Sequence, residues 1–414
     1  MRALLLSMVL LSALAGPLKA DEASPLVLLQ STDAASRERA VQMIGEGREP
    51  ALYGHLRISL LYDVSPTVRA TAARAMARLG LAQYAELLQS VVRGDPDPQV
   101  RLAAAQAHEQ LWPLQKLPRV AAGLSLLCPG CGHFYLRQPG KAGLLLGSTA
   151  TLLGSGLKLA LDSSYTGTSL DAPGDVRSAL ALPLLMGAQN LWFYSVFAAY
   201  RDARLMRHNQ GYKYPVSQET LGDLLLAPVN PKVLARPWFW VGLPVMMGAV
   251  VGYSLLTAGT STSSGQRQNV FDGQGVRFLG HRFATAPGFM LGESYYASLF
   301  FPVGMGEEAL FRGVLQPGLS ETFDPYAGWI MASLLFGAVH IGNFAGKANA
   351  SEGYTAVPFI TAVGGYLGYV SMASGNQLST SVALHTWYDF LIGTAAFITD
   401  PDNQPFAVRV AIPW

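Results

Sequence analysis

Apolar residues fall along this chain in two textures. From about residue 119 onward they gather into long runs, at 141–161, 177–200, 237–258, 286–316, 326–343, 355–373 and 378–398. Each run approaches the ~20 residues that a helix needs to cross a bilayer. The pattern therefore predicts a polytopic helical membrane domain. Residues 120–136 form a shorter apolar stretch broken by Pro129, read either as a compressed span or as a re-entrant pair. At the start of the chain, residues 1–20 hold Arg2, an apolar core from Leu4 to Leu14 and the small residue Ala20, the make-up of a cleavable export signal.

The segment in between, residues 21–118, is richer in charge and repeats itself. Asp63-Val-Ser-Pro66-Thr-Val68-Arg69-Ala-Thr-Ala72-Ala73 matches Asp95-Pro-Asp-Pro98-Gln-Val100-Arg101-Leu-Ala-Ala104-Ala105 at an offset of 32. Ala75/Ala107 and Leu79/Leu111 continue the register, and Arg37, Ala40 and Val41 mark a fainter copy upstream. A fixed period of this size signals stacked helical repeats. Small alanines permit close helix packing, and Pro66 and Pro98 suit a helix's first turn, where no amide hydrogen bond is lost. Over about residues 25–115 the stretch resembles short HEAT-type repeats, in which Asp-x-x-Pro-x-Val-Arg opens the second helix. The resemblance implies an α-solenoid, whose concave face would dock a substrate or partner protein. A solubilising spacer is the plainer alternative.

Composition sharpens the division. The chain is 50% hydrophobic and 14% charged, against ~25% charged in an ordinary soluble protein. Residues 21–119 carry 11 acidic and 11 basic side chains, and the far longer 120–414 only 16 of each. A net charge of +2 and the lack of a basic stripe with interleaved aromatics exclude a nucleic-acid binder. Arg201, Arg204, Arg207, Lys213, Lys232 and Arg236 crowd one connection, which the positive-inside bias places in the cytoplasm. The 162–175 connection, with Asp162, Asp171 and Asp175, and the polar 259–285 loop then fall outside. Two cysteines, Cys128 and Cys131, give no disulfide framework. A lone Cys-x-x-Cys also lacks the second half of a zinc site, so the stretch reads as a turn between apolar helices.

Chemistry gathers in three motifs, each on its own predicted helix: Glu307-Glu308-x-x-x-Arg312, Phe336-x-x-x-His340 and His385-x-x-x-Asp389. Ionisable groups within a membrane helix cost about 2.5–3.5 kcal/mol each on insertion scales and mark functional sites. Glu308 and Arg312 are four apart, share a helix face and read as a structural ion pair. Glu307 is rotated from Glu308 by about 100° and lacks that cation. It is left as a desolvated carboxylate, suited to take a proton. His340 shares a face with Phe336, and His385 with Asp389. Three facing helices could thus bring one glutamate, two imidazoles and a second carboxylate together.

Taken together, the three motifs resemble the pattern of the CPBP intramembrane proteases (CAAX protease and bacteriocin-processing, or ABI, family) across roughly 237–398. Phe311-Arg312-Gly313, Leu334-Leu335-Phe336-Gly337 and Asn376, nine residues before His385, fit as well. The resemblance implies a glutamate-dependent endopeptidase. Glu307 with His340 would activate water, and His385 with the residue four later would hold the oxyanion. Glu308, Arg312, Phe336 and Asn376 would support the site. The eukaryotic type carries Asn where this chain has Asp389. A carboxylate cannot donate to an oxyanion unless protonated, so Asp389 would instead orient His385. No cofactor is expected. A zinc ion on Glu307, His340 and His385 is the alternative left open, although no His-Glu-x-x-His is present.

The expected organisation is all-α: a signal peptide at 1–20, a HEAT-like module at 21–118, accessory transmembrane helices and a cytoplasmic loop at 119–236, a protease-like domain at 237–398 and a tail at 399–414. The expected partners are a membrane-anchored protein or lipidated peptide cleaved near its C-terminus, the lipid bilayer, and a protein docked on the repeat module. The expected setting is a bacterial inner membrane with the repeat module outside the cytoplasm. A non-catalytic membrane scaffold binding a partner through the repeats is the alternative. A transporter ranks last, because the membrane half shows no internal repeat.

Overall fold

The computed structural model describes residues 24–47, 49–162, 176–257, 270–271, 275–278, 281–344 and 350–399. The expected signal peptide and the tail beyond Thr399 lie outside the described residues, as does most of the 162–175 and 259–275 chain. The chain divides between Gln115 and Lys116 into two units.

The first unit is built from helix pairs: α1 Pro25–Leu29 with α2 Ala34–Glu46, α3 Tyr53–Tyr62 with α4 Pro66–Leu79, and α5 Ala85–Gly94 with α6 Pro98–Leu111. The second helices stack in series, α2 on α4 on α6. Their contact faces carry the alanines of the repeat, with Ala72, Ala75, Ala104 and Ala107 buried among Ile44, Leu60, Met76 and Leu88. Pro66 and Pro98 occupy first helical turns. Asp97 caps α6 through the amides of Gln99 and Val100.

The polar ends of the repeat motif form a ladder. Arg37 binds both carboxylate oxygens of Asp63 at 2.8 and 2.9 Å, and Arg69 binds those of Asp95 at 2.8 and 3.0 Å. Each arginine also donates through Nη1 to carbonyls just upstream of its own helix, Arg37 to Ser31 and Thr32, Arg69 to Asp63 and Val64. The aspartate of one motif therefore serves the preceding repeat and its arginine serves the next. Arg37 holds the Asp63 carboxyl below its ordinary value. Burial works against Asp95 in the same way it does any carboxylate, but the Arg69 fork and the Asp97 amide prevail and its value is lowered too. Arg101 keeps its carbonyls, Asp95 and Pro96. Twenty-six residues further on, where the ladder's next aspartate would stand, the chain has Leu127.

The second unit is helical but for one hairpin. Its elements are α7 Pro118–Leu127, α8 Cys131–Tyr135, α9 Pro139–Leu161, α10 Val176–Met206, α11 Leu221–Leu226, α12 Pro231–Leu234 and α13 Pro237–Thr257, followed by β1 Val276–Phe278, β2 His281–Phe283, α14 Thr285–Leu310, α15 Gln316–Thr322, α16 Pro325–Val339, α17 Ala350–Ala373 and α18 Ser379–Thr399. The two strands pair antiparallel, Val276 opposite Phe283, inside a loop that reads from sequence as irregular. Among the described residues four helices are long and apolar enough to cross a membrane, at 139–161, 179–206, 325–342 and 356–373.

The stretch at 120–136 is two short helices and not one compressed span. At ~1.5 Å per residue, α7 is about 15 Å long, half the ~30 Å of a bilayer's hydrocarbon core. Cys128 and Cys131 are joined by a disulfide across the turn between them. Two cysteines cannot make a framework, but adjacent across a turn they can make one bridge, which the count alone did not predict.

α10 is the central pillar, packing against α7, α9 and α14. Two glycines set how closely α14 can approach its neighbours. A Cβ on Gly304 would strike Thr386 of α18, and one on Gly306 would strike Asn190 of α10. Beyond Leu310 the helix widens into a π turn, Phe311–Leu315. Pro317 explains the change: it has no N–H to return to the Gly313 carbonyl, so regular α bonding cannot run through this turn.

Candidate active site

Three helices supply the site: α14 carries Glu307 and Glu308, α16 ends at His340, and α18 carries His385 and Asp389. The two adjacent glutamates have different surroundings. Glu308 is fully buried, and its Oε1 accepts hydrogen bonds from Arg312 Nη1 at 2.9 Å and from His385 Nδ1 at 2.9 Å. Arg312 is spread further, donating through Nη2 to the Gly364 carbonyl at 2.6 Å. Its guanidinium carbon sits 4.4 Å from the centre of the Phe336 ring. Both donors reach the same oxygen, Oε1; Glu308 Oε2 is buried without a hydrogen-bond partner.

Glu307 is not answered in the same way. Its Oε2 is buried and has no hydrogen-bond partner. It faces His340 Nε2 at 3.8 Å and His385 Nε2 at 3.9 Å. His340 Nδ1 lies 2.7 Å from the Phe336 carbonyl. A carbonyl only accepts, so the proton sits on Nδ1, and in the neutral ring Nε2 keeps a lone pair directed toward Glu307. His385 also has Nδ1 engaged, by Glu308, and its Nε2 lies 3.4 Å from Asp389 Oδ2. Phe336 separates the parts: its ring centre is 4.7 Å from that of His340, 5.9 Å from that of His385 and 5.1 Å from that of Phe311.

These groups open onto a cavity of about 230 Å³. Its remaining wall is apolar, from Val303, Ile360, Val363, Tyr388 and Ile392. The arrangement offers a proton acceptor, a nitrogen lone pair beside it and a ring held by carboxylates, all at one apolar cavity. That is the equipment of hydrolysis by an activated water.

Of the residues singled out from sequence, Glu307, His340, His385 and Asp389 meet at this cavity, and Glu308, Arg312 and Phe336 stand behind them. Asn376 does not join them. It occupies the turn between α17 and α18 with φ 63°, a left-handed conformation that asparagine tolerates better than most residues. Its Nδ2 donates to the Pro215 carbonyl at 3.3 Å, and it lines a separate cavity with Tyr214, Gln316 and Pro325. Its support is to the turn before α18 and not to the site. Glu219 was missed by sequence reasoning. Its carboxylate accepts the amides of Leu378 and Ser379 and so fixes the start of the helix that bears His385. The charged 201–236 connection held no signal for it beyond an acidic residue in a basic loop.

Two imidazole lone pairs and a carboxylate are a donor set of the kind zinc accepts. Among the described residues, no group of three or more His, Cys, Asp and Glu side chains has the spacing to hold a metal ion.

Residues 291–391 match the family described as Type II CAAX prenyl endopeptidase Rce1-like. This segment resembles that family. It contains every motif residue from Glu307 to Asp389, and residues 25–110 match HEAT repeats. No curated protein and no solved structure matches the chain. The Rce1-like segment supports a CAAX-type peptidase activity in general, with a membrane-associated substrate.

Proposed function

We propose that this protein is an intramembrane endopeptidase that hydrolyses a peptide bond near the C-terminus of a membrane-anchored or lipid-modified protein, using a water activated by Glu307 and His340. The observation that carries this reading is Glu307 Oε2, a buried carboxylate oxygen without a hydrogen-bond partner, 3.8 Å from His340 Nε2. One water can bond to both atoms at ordinary lengths of about 2.7–3.0 Å across that gap.

In this mechanism the water oxygen adds to the scissile carbonyl carbon while its proton passes to Glu307. The carbonyl oxygen becomes an oxyanion and takes a hydrogen bond from His385 Nε2–H. Glu308 on one side and Asp389 on the other hold the proton-bearing imidazole in place. Glu307 then hands its proton to the departing amide nitrogen as the C–N bond breaks, leaving a carboxylic acid and an amine, and the acid's proton passes to the amine to give a carboxylate and an ammonium. Asp389 orients His385 and does not touch the oxyanion. No step passes through a metal ion. The repeat module recruits the substrate.

The test compares the C-termini of membrane and released proteins in cells carrying the wild-type chain or Glu307→Gln. The isosteric variant should process its substrate about 10²–10⁴ times more slowly, with an unchanged amount of protein in the membrane. Undiminished processing by Glu307→Gln removes the proposal. A chelator should leave the wild-type rate unchanged. Loss of processing on chelation, restored by zinc, would overturn the metal-free mechanism.

A further inference from the structure

Residues 116–141 contain Lys116, Arg119, Arg137 and Lys141 and no acid. The four bases stand at the two ends of an apolar hairpin. Its first arm is α7 and its second is α8, joined by Cys128, Pro129 and Gly130. The two outer ends of the hairpin meet: the Leu117 amide donates to the Tyr135 hydroxyl at 3.1 Å, and the Lys116 ammonium lies 4.2 Å above the Tyr135 ring. The chain thus leaves the hairpin beside the point where it came in.

The hairpin is placed in depth by α10. Its apex is tied to the middle of that helix, Trp192 Nε1 donating to the Ser125 carbonyl at 2.8 Å and the Gly130 amide to Ser195 Oγ at 2.7 Å. The outer end of the second arm is tied to the helix terminus, where His133 Nε2 lies 3.9 Å from Asp202 and Lys141 bonds the same carboxylate at 2.6 Å. Ser195 to Asp202 is seven residues of helix, roughly 10 Å. The apex therefore dips about 10 Å and returns. Leu126 and Leu127 at its tip are 55% and 80% exposed, and Phe134 is 51% exposed. Apolar side chains left bare at the deepest point fit lipid and not water.

We infer that residues 118–135 form a re-entrant hairpin that does not cross the bilayer, and that the chain before Lys116, including the repeats, lies on the same membrane face as the basic 201–236 connection, in the cytoplasm. Parity follows from two helices that do meet the requirements for crossing, α9 and α10. They carry the chain out after Lys141 and back before Arg207. The positive-inside bias of the four hairpin bases adds to that of Arg201, Arg204, Arg207, Lys213, Lys232 and Arg236. This reverses the side that an export signal at 1–20 implies. The disulfide does not decide the face, because Cys128 and Cys131 are half-buried at the apex, at the depth of the lipid-facing Leu126 and Leu127. The partners of the repeat module are then polypeptides of the cytoplasmic face. The topology stands independently of the peptidase reading.

Single cysteines in the full chain test it, in a Cys128→Ser, Cys131→Ser background. Gln89→Cys reports the repeat module, Gln210→Cys the basic connection and Asp162→Cys the far end of α9; all three positions are exposed. A membrane-impermeant maleimide should label positions 89 and 210 in inverted vesicles and not in intact cells, and position 162 in intact cells. Labelling of 89 and 210 from opposite faces overturns the re-entrant hairpin. Labelling of both from outside overturns the cytoplasmic assignment. If the double serine background does not accumulate, protease added to inverted vesicles of the unaltered chain should remove the repeat module, and its survival there counts against the inference.

Discussion

The repeat module and the membrane unit each contain a glutamate or aspartate gripped by arginine, and they use the pairing to opposite ends. In the repeats, Arg37 and Arg69 each meet one carboxylate with a two-pronged hydrogen bond, and every partner is matched. In the membrane unit one carboxylate, Glu308, takes two partners, Arg312 and His385, while its neighbour Glu307 has an oxygen with none within hydrogen-bond reach. Fully matched charge builds architecture. An imbalance between adjacent residues leaves one oxygen able to act. One residue's step along the helix, about 100°, is enough to separate the two outcomes.

The strongest way to break the comparison is to unmatch what is matched. Glu308→Ala leaves Arg312 buried at 1% exposure without its carboxylate. Removing one partner of a buried pair costs about 3–5 kcal/mol, so the variant should fail to accumulate or melt far earlier in detergent. Pairing it with Arg312→Met should recover part of the loss. Normal accumulation of the single variant would show that Glu308 is not structural.

His340→Gln should act on chemistry alone. His340 is largely but not fully buried and its replacement leaves no buried cation unpaired, so the melting temperature should hold while kcat falls about 10²-fold. A fall in stability with kcat preserved would move His340 to the structural side of the comparison. Asp389→Asn is milder. An amide oxygen can still accept from His385, so the rate should drop less than about tenfold on the usual scale of a lost charge-assisted bond. A large loss would mean that the carboxylate itself takes part.

The smallest effect concerns the ladder. The Asp63 and Asp95 carboxyls are held below their ordinary value, which is ~3.9 for aspartate. Such groups contribute stability that is complete above the ordinary value and drains away as pH falls through the lowered one. Amide hydrogen-exchange protection over residues 34–111 of the full chain should therefore weaken as the pH falls below about 4. Asp63→Asn with Asp95→Asn should flatten that dependence; an unchanged acid response would assign it to other carboxylates.

What could be read from the sequence follows from how far each interaction reaches. The 32-residue offset between Asp63 and Asp95 exposes the repeat directly. The Arg69–Asp95 pairing was hidden, because the motif invites pairing Arg69 with the aspartate six residues before it. The true partner belongs to the next copy, and asking where each buried guanidinium goes would have found it. Within one helix, spacing sufficed: Glu308 and Arg312 do meet. Between helices it did not. Nothing in spacing could show that His385 turns its Nδ1 to Glu308, nor that the nine-residue step from Asn376 to His385 carries the asparagine out of the site altogether. The π turn had a local sign in Pro317 that apolar continuity concealed, and the hairpin at 276–283 was masked by the polarity of its loop.

The cavity before Glu307 has one further consequence. Apart from Glu307, His340, His385 and Asp389, its walls are Val303, Phe336, Ile360, Val363, Tyr388 and Ile392. Under the proposed hydrolysis, residues flanking the cut bond would shed their hydration against a greasy surface, so charged side chains beside that bond should be disfavoured.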